Sequence, residues 1–452
     1  MLPCKSGLDS ESENLMSDTV QSTSTISLNP AIERATEKAL AALDLTGLVA
    51  TLRELLIIPS ITGSIEESQA QHWFAERLRE SAFETDLWPL DLPTLLSDPD
   101  FPGLEVPREE GWGLVGSWGG QVGPTLVLNG HIDVVPPGDL KQWVDESPFS
   151  GRVEDGKVFG RGACDMKGGL VCNLYAVKAI QAAGIRLKGK VLLESVVSEE
   201  DGGLGTFATL RRGYRGDAAI ITEPTDLQII PACAGALTFR LKLTGLSAHA
   251  SMRREGVSVI EKFWPIWQAL EELETRRNLA GHPLMAHYGL PYPLSIGTLK
   301  AGNWPSSVPD SLEAEGRLGV ALGEEPQAAR RELEEALAEV CRKDPWLQKH
   351  PVEVDWFGGQ FASGQLPAGH YLLDLVGQAH QRLNGKFPAV HGGSYGSDLR
   401  LMVGLGNIPT LHYGPGHVNL AHAPNEMVPV SDLATVARTL IAVILQFCGV
   451  DE

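Results

Sequence analysis

A chain of 452 residues has room for two or three domains, and 43% hydrophobic with 21% charged residues is the composition of an ordinary globular protein. The net charge of −20 argues against a nucleic-acid or anionic-membrane partner. Six cysteines without a CxxC pair suit a reducing compartment and no disulfide framework, so a cytoplasmic protein is expected.

The first 30 residues are rich in Ser, Thr, Asp and Glu and read as a disordered leader. Helical spacing follows at 31–43 and 46–57, where Leu48, Leu52, Leu55 and Leu56 share a face, and again after Ser64 over 65–82. Residues 90–110, rich in Pro and Asp, read as a long surface loop. The apolar run Leu126-Val127-Leu128 predicts a buried strand that ends in Gly130-His131-Ile132-Asp133. A strand around Val158 ends in the run from Gly160 to Gly169, which contains Asp165, and a helix is expected over 169–183. A third strand, 191–197, ends in Ser198-Glu199-Glu200-Asp201-Gly202-Gly203, and a fourth, 218–221, in Thr222-Glu223-Pro224. Strands alternating with helices predict an α/β fold with a parallel or mixed sheet.

Near Pro231 the pattern changes. Leu237, Phe239, Leu241 and Leu243 alternate with Thr238, Arg240, Lys242 and Thr244, as a half-buried strand does. A helix over 256–276, strands at 294–299 and 312–321, a helix over 325–342 and a strand at 352–357 complete the order β-α-β-β-α-β, which is the ferredoxin-like α+β signature. Residues 232–358 are therefore expected to form a separate domain, inserted into a catalytic domain made of 31–231 and 359–452. The α/β pattern resumes with helices over 370–383 and 429–447 and a strand near 409–413. Between them lie a Gly-rich turn at 392–400 and Ala421-His422-Ala423-Pro424-Asn425-Glu426. The most apolar stretch, 440–450, is too short to span a bilayer.

His131, Asp165, Glu199, Glu200, Glu223 and His422 all fall at strand ends or in turns, and sites in open α/β sheets form outside the C-terminal ends of strands. Acidic and imidazole groups gathered at one sheet edge are stable together when a cation sits among them. Two divalent ions need a bridging carboxylate with hard or borderline donors on each side. The set suffices for that and leaves one carboxylate over as a general base.

These motifs, in this order, resemble the M20 metallopeptidase and deacylase family, which includes acetylornithine deacetylases and succinyl-diaminopimelate desuccinylases, and the resemblance covers about residues 32–450. It implies a mixed-sheet zinc-hydrolase domain with an inserted lid and dimerisation domain. His131 and Glu223 would hold one metal, Glu200 and His422 the other, and Asp165 would bridge them. Asp133 would orient His131, Glu199 would be the general base, and the Asp165-Met166 peptide would be cis. Zinc is implied, although cobalt and manganese suit the same donors.

Ala248-His249-Ala250 is similar to a family motif whose His polarises the scissile carbonyl in the partner subunit's active site. That would make the protein a homodimer through the inserted domain. Arg400 resembles a carboxylate-binding Arg of several relatives and Arg317 matches a basic position of the small domain, and both are expected to bind substrate. Where relatives carry Asn-Val-Ile-Pro, this chain has Ser306-Ser307-Val308-Pro309, and Ser306 offers no amide donor. The expected activity is deacylation of an N-acyl amino acid. A peptidase of the same family acting on short peptides is the alternative. A metal-binding module without turnover is a third reading, against which the complete ligand set and base stand.

Overall fold

The computed structural model describes residues 29–451. The expected leader lies outside these residues except for its last two, Asn29 and Pro30. Asn29 caps the first helix, Pro30–Ala41, by accepting the Ala31 N–H.

Six strands form the main sheet, in the spatial order Glu84–Pro89, Trp112–Gly119, Lys190–Val196, Thr125–His131, Ala218–Ile221, Thr410–His412. The last four run parallel to one another and the first two are antiparallel additions. The mixed α/β architecture is as expected, but neither antiparallel strand was anticipated. Trp112–Gly119 carries Gly113, Gly116 and Gly119, and glycine is depleted in strands. The structure supplies the reason for Gly113: a Cβ there would lie 2.1 Å from the Trp88 ring of the neighbouring strand.

A second difference concerns Asp165. The strand that leads to it, Lys157–Phe159, is not part of the main sheet. It pairs with Arg152–Glu154 and Met427–Pro429 in a separate three-stranded antiparallel sheet. The main sheet therefore delivers three of the four strand-end motifs. Asp165 and His422 approach from outside it.

The last helix, Val430–Cys448, packs against helix Gly168–Ala182 and reaches the two central strands. At 19 residues it extends well beyond the 440–450 run, and by length and composition it is long and apolar enough to cross a membrane. Its place in the core accounts for its composition. Leu433, Val436, Leu440, Ile441, Val443 and Ile444 are fully buried, each stabilising the fold by about 1.5–3 kcal/mol in gross terms.

Residues 235–361 build a sheet of their own, ordered Leu294–Ala301, Ser311–Val320, Gly235–Thr244, Glu353–Phe361 and antiparallel throughout. With helices Val259–Arg277 and Pro326–Lys343 this is the predicted β-α-β-β-α-β order. Leu237, Phe239 and Leu241 pack with Ile266, Leu270 and Leu333 in a core separate from that of the main sheet. Strand alternation then decides what the other face presents. Thr238 pairs in register with Arg317, and both point away from the helices, towards the C-terminal edge of the main sheet.

Candidate metal centre

Three adjacent parallel strands end side by side, and each ends in a candidate ligand or base. His131 closes Thr125–His131 level with Val196, and Glu199 and Glu200 follow Lys190–Val196. Glu223 follows Ala218–Ile221. Neighbours on a regular strand point to opposite faces, so Glu199 and Glu200 can share a cavity only if the chain leaves strand geometry. It does so at Ser198, whose φ is +64°, before the Gly202-Gly203 turn begins. Gly203 itself has φ +85°, and a Cβ there would stand 2.3 Å from the Asp398 carboxylate.

Asp165 reaches the same place through a tight turn with a cis Asp165-Met166 peptide. Its Oδ1 lies 3.0 Å from His131 Nε2, and its Oδ2 lies 3.5 Å from His422 Nε2. His131 Nε2 is also 3.9 Å from Glu223, and His422 Nε2 is 3.0 Å from Glu200. Two triads result, His131–Asp165–Glu223 and Asp165–Glu200–His422, each with donor atoms within 4.8 Å of one another. Asp165 belongs to both, one oxygen to each side.

The hydrogen-bond inventory shows why this cluster suits a cation. His131 Nδ1 donates to the Asp133 main-chain oxygen at 2.8 Å. In the neutral ring that leaves a lone pair on Nε2, facing two carboxylate oxygens. Such a contact is repulsive until a proton or a metal ion enters it. Electrostatics say the same. Burial pushes the Glu199 and Glu223 carboxyls well above the usual range, and neighbouring carboxylates add to it. Glu200 is raised by burial and by Asp165. Burial also disfavours charge on His131, yet its hydrogen bond to Asp165 and the nearby Glu223 hold it well above normal. Hydrogen bonds to Asp165 and Glu200 push His422 up to about 11. These groups compete for protons that two divalent cations would displace, and the donor set fits such cations.

Asp133 holds the site together, with a division of labour that differs from the expectation. Its carboxylate is 3.7 Å from His131 Nδ1, beyond hydrogen-bond range, and the main-chain carbonyl fixes the ring instead. The fully buried carboxylate accepts the Thr62 hydroxyl at 2.9 Å and the N–H groups of Glu199 and Glu200 at 3.3 and 3.4 Å. Asp133 therefore positions the Glu199-Glu200 turn.

Asp165, Glu199, Glu200, Glu223 and His422 line a cavity of about 530 Å³. Arg317 and Thr238 form the opposite wall, with Glu105, Phe361 and Tyr395 between. Arg400 is not on that wall. It is buried against Phe361 and donates to the main-chain oxygens of Ser397 and Gly202 at 2.8 and 2.7 Å. Its guanidinium is committed to holding two turns together, so no free fork is left for a substrate carboxylate. His249 is also absent from this chain's cavity. It is exposed, and its Nδ1 accepts the Ser251 N–H at 3.2 Å. In the neutral ring that leaves the proton on Nε2.

His412 is buried between Ser397 and Cys233 and pushed down to about 3 by burial, which makes it a neutral structural imidazole. His417 caps the short helix Val418–Leu420 by accepting the Asn419 N–H, and His391 bonds Gln228.

Sequence reasoning missed the buried polar frame behind the turn. Arg108, from the supposed surface loop, pairs with Glu67 at 2.7 Å, and Glu67 accepts the Ser198 N–H. Asp201 accepts both the Ser198 hydroxyl and the Val106 N–H. No local signal marks the contacts that Glu67 makes with Arg108 and Ser198, because their members are 41 and 131 residues apart. Arg161 and Glu426 also have no role in the sequence reading, although they lie in the Gly160–Gly169 and Ala421–Glu426 motifs.

Residues 127–446 match the family model described as Peptidase family M20/M25/M40. The N-formyl-4-amino-5-aminomethyl-2-methylpyrimidine deformylase of Halalkalibacterium halodurans is 30% identical over 347 residues, 72% of this chain and 79% of the relative. The succinyl-diaminopimelate desuccinylase of Rhodopseudomonas palustris is 27% identical over 323 residues, 69% and 79% of the two chains. The structure of a dipeptidase from Saccharomyces cerevisiae superposes with a TM-score of 0.72 at 15% identity, covering 93% of this chain and 99% of that one.

Proposed function

The chain belongs to the M20/M25/M40 peptidase family and is a hydrolase of amide bonds; on that premise we propose that it removes the acyl group from an N-acyl amino acid, using two divalent cations. The observation that carries this reading is Asp165, whose two oxygens each face one His–carboxylate pair while Glu199 opens on the same cavity. His131, Asp165 and Glu223 would hold the first cation, and Asp165, Glu200 and His422 the second. Zinc is our choice, and the same donors would accept cobalt or manganese. Bound there, the pair would polarise the amide carbonyl and make a water easier to deprotonate.

The remaining chemistry falls to the chain. Glu199 takes the proton from the attacking water and returns it to the leaving nitrogen as the C–N bond breaks. Burial holds its carboxyl above the ordinary carboxylate range, which suits a group that must both accept and release a proton. Asp133 keeps Glu199 in place through its N–H. Arg317, exposed on the far wall, is positioned to receive a substrate carboxylate. His249 would donate its Nε2–H to the oxyanion of a partner subunit's substrate, in a homodimer built through the 232–358 segment.

Deacylation is favoured over peptide hydrolysis because the two relatives named above are a deformylase and a desuccinylase. Glu105 is the observation on the other side, since a carboxylate on the cavity wall could accept a substrate ammonium. Rates on N-formyl, N-acetyl and N-succinyl amino acids, set beside dipeptides, separate the two. Glu199→Gln should lower kcat by about 10²- to 10⁴-fold with both cations still bound. Hydrolysis at the wild-type rate in that variant would exclude the mechanism.

A further inference from the structure

The two halves of the centre are built differently. His131 and Glu223 sit at the ends of adjacent sheet strands, so the sheet fixes their separation. His422 has no strand beneath it. It lies in a loop with φ +61°, and its side chain is 54% exposed, against 13% or less for Asp165, Glu200, Glu223 and His131. Something other than the sheet must hold it opposite Asp165.

Arg161 and Glu426 lie directly behind this gap, each 1% exposed. They pair at 2.6 Å through Arg161 Nη1 and Glu426 Oε2. The other carboxylate oxygen, Oε1, accepts the main-chain N–H groups of Cys164 and Asp165 at 2.9 and 3.1 Å. Arg161 Nη2 donates to the His422 carbonyl at 3.1 Å, and Nη1 reaches the Ala423 carbonyl at 3.4 Å. One ion pair thus grips the main chain on both sides of the gap. The Trp143 ring, 5.2 Å from the guanidinium, closes the back, and Asn425 fastens that ring's loop by bonding Val144 N and Gln142 O.

We propose that the Arg161–Glu426 pair is a positioning device that sets the cation affinity of the Asp165–Glu200–His422 half of the centre. The inference rests on the two-cation reading above. Residues that orient metal ligands typically change affinity about 10- to 100-fold when altered. Among the described residues the Arg161 side chain hydrogen-bonds only to the loop that carries His422, so its replacement should act chiefly on that half. A lysine keeps the charge but cannot offer a planar fork to a carboxylate and two carbonyls at once.

The test is titration of the metal-free full chain with Co²⁺, followed by equilibrium dialysis and visible absorption. The wild type should bind two ions in two resolved steps. In Arg161→Lys the weaker step should move to about 10- to 100-fold higher Co²⁺, while the tighter step stays in place. The paired variant Arg161→Met/Glu426→Met removes both charges together and leaves no unpaired charge in the interior. It should keep the far-ultraviolet circular dichroism of the wild type and lose the weaker step. If the double variant does not fold, Arg161→Lys decides. A purely structural pair would lower the melting temperature and leave both steps where they were, and that result overturns the proposal. A wild-type chain that takes up no Co²⁺ overturns the two-cation reading and the role of the pair together.

Discussion

Glu194 offers a test of how this sheet bears a buried charge. It sits mid-strand in Lys190–Val196 and is fully buried. One carboxylate oxygen accepts from Asn129 Nδ2 at 3.1 Å, and the other has no partner among the described residues. Burial pushes the carboxyl up to about 7 from an ordinary 4.5, outweighing the Asn129 hydrogen bond and the charge of Arg215. Because the folded value exceeds the unfolded one, the folded state holds the proton more tightly. Stability from this group is full below pH 4.5 and is lost as pH rises towards 7. The loss amounts to about 3 kcal/mol, a sizeable share of the roughly 5–15 kcal/mol that holds a typical protein folded. Glu194→Gln cannot ionise and keeps an oxygen for Asn129. Its urea midpoint should match the wild type near pH 4.5 and exceed it at pH 8.5. A difference between the two proteins that does not change with pH would refute the reasoning, because only the ionisation of Glu194 separates them.

Four further substitutions probe the frame and the site. Arg108→Met leaves Glu67 and Asp201 buried without their cation, in surroundings where burial and Asp133 already push Glu67 up to about 8. A loss of about 3–5 kcal/mol is expected in thermal or urea unfolding, and an unchanged midpoint would show the pair to be dispensable. Arg317→Ala should raise KM about tenfold or more for substrates with a free carboxylate and leave decarboxylated analogues unaffected, whereas Arg400→Ala should lower the melting temperature and spare substrate discrimination. His249→Ala should cost about 10²- to 10³-fold in kcat in a protein that still sediments as a dimer. Full activity, or a strictly monomeric wild type, would remove His249 from the reaction.

The constellation was legible in the sequence because each member sits in a short motif at a strand end or in a turn, and three of the strands concerned are neighbours in one sheet. The ferredoxin-like segment was legible because strict alternation over 237–244 and two amphipathic helices leave little freedom of interpretation. Other features depended on contacts between distant residues. The strand Trp112–Gly119 looks wrong by propensity, and only the Trp88 ring explains Gly113. Arg400 has the motif context of a substrate ligand, yet the carbonyls of Ser397 and Gly202 take its donors. A motif identifies a residue type in a turn, whereas the direction of its fork is settled by what packs behind it.

Asp133 shows the same limit inside the best-read motif. Two residues from a ligand, it looks like that ligand's partner. The His131 ring, however, already has its donor satisfied by a main-chain carbonyl, which needs no particular side chain. The carboxylate is free to accept two N–H groups from a turn 66 and 67 residues away. One residue therefore sets His131 through its backbone and Glu199 and Glu200 through its side chain. A ligand of each proposed cation and the proposed base thus take their positions from the same residue, Asp133.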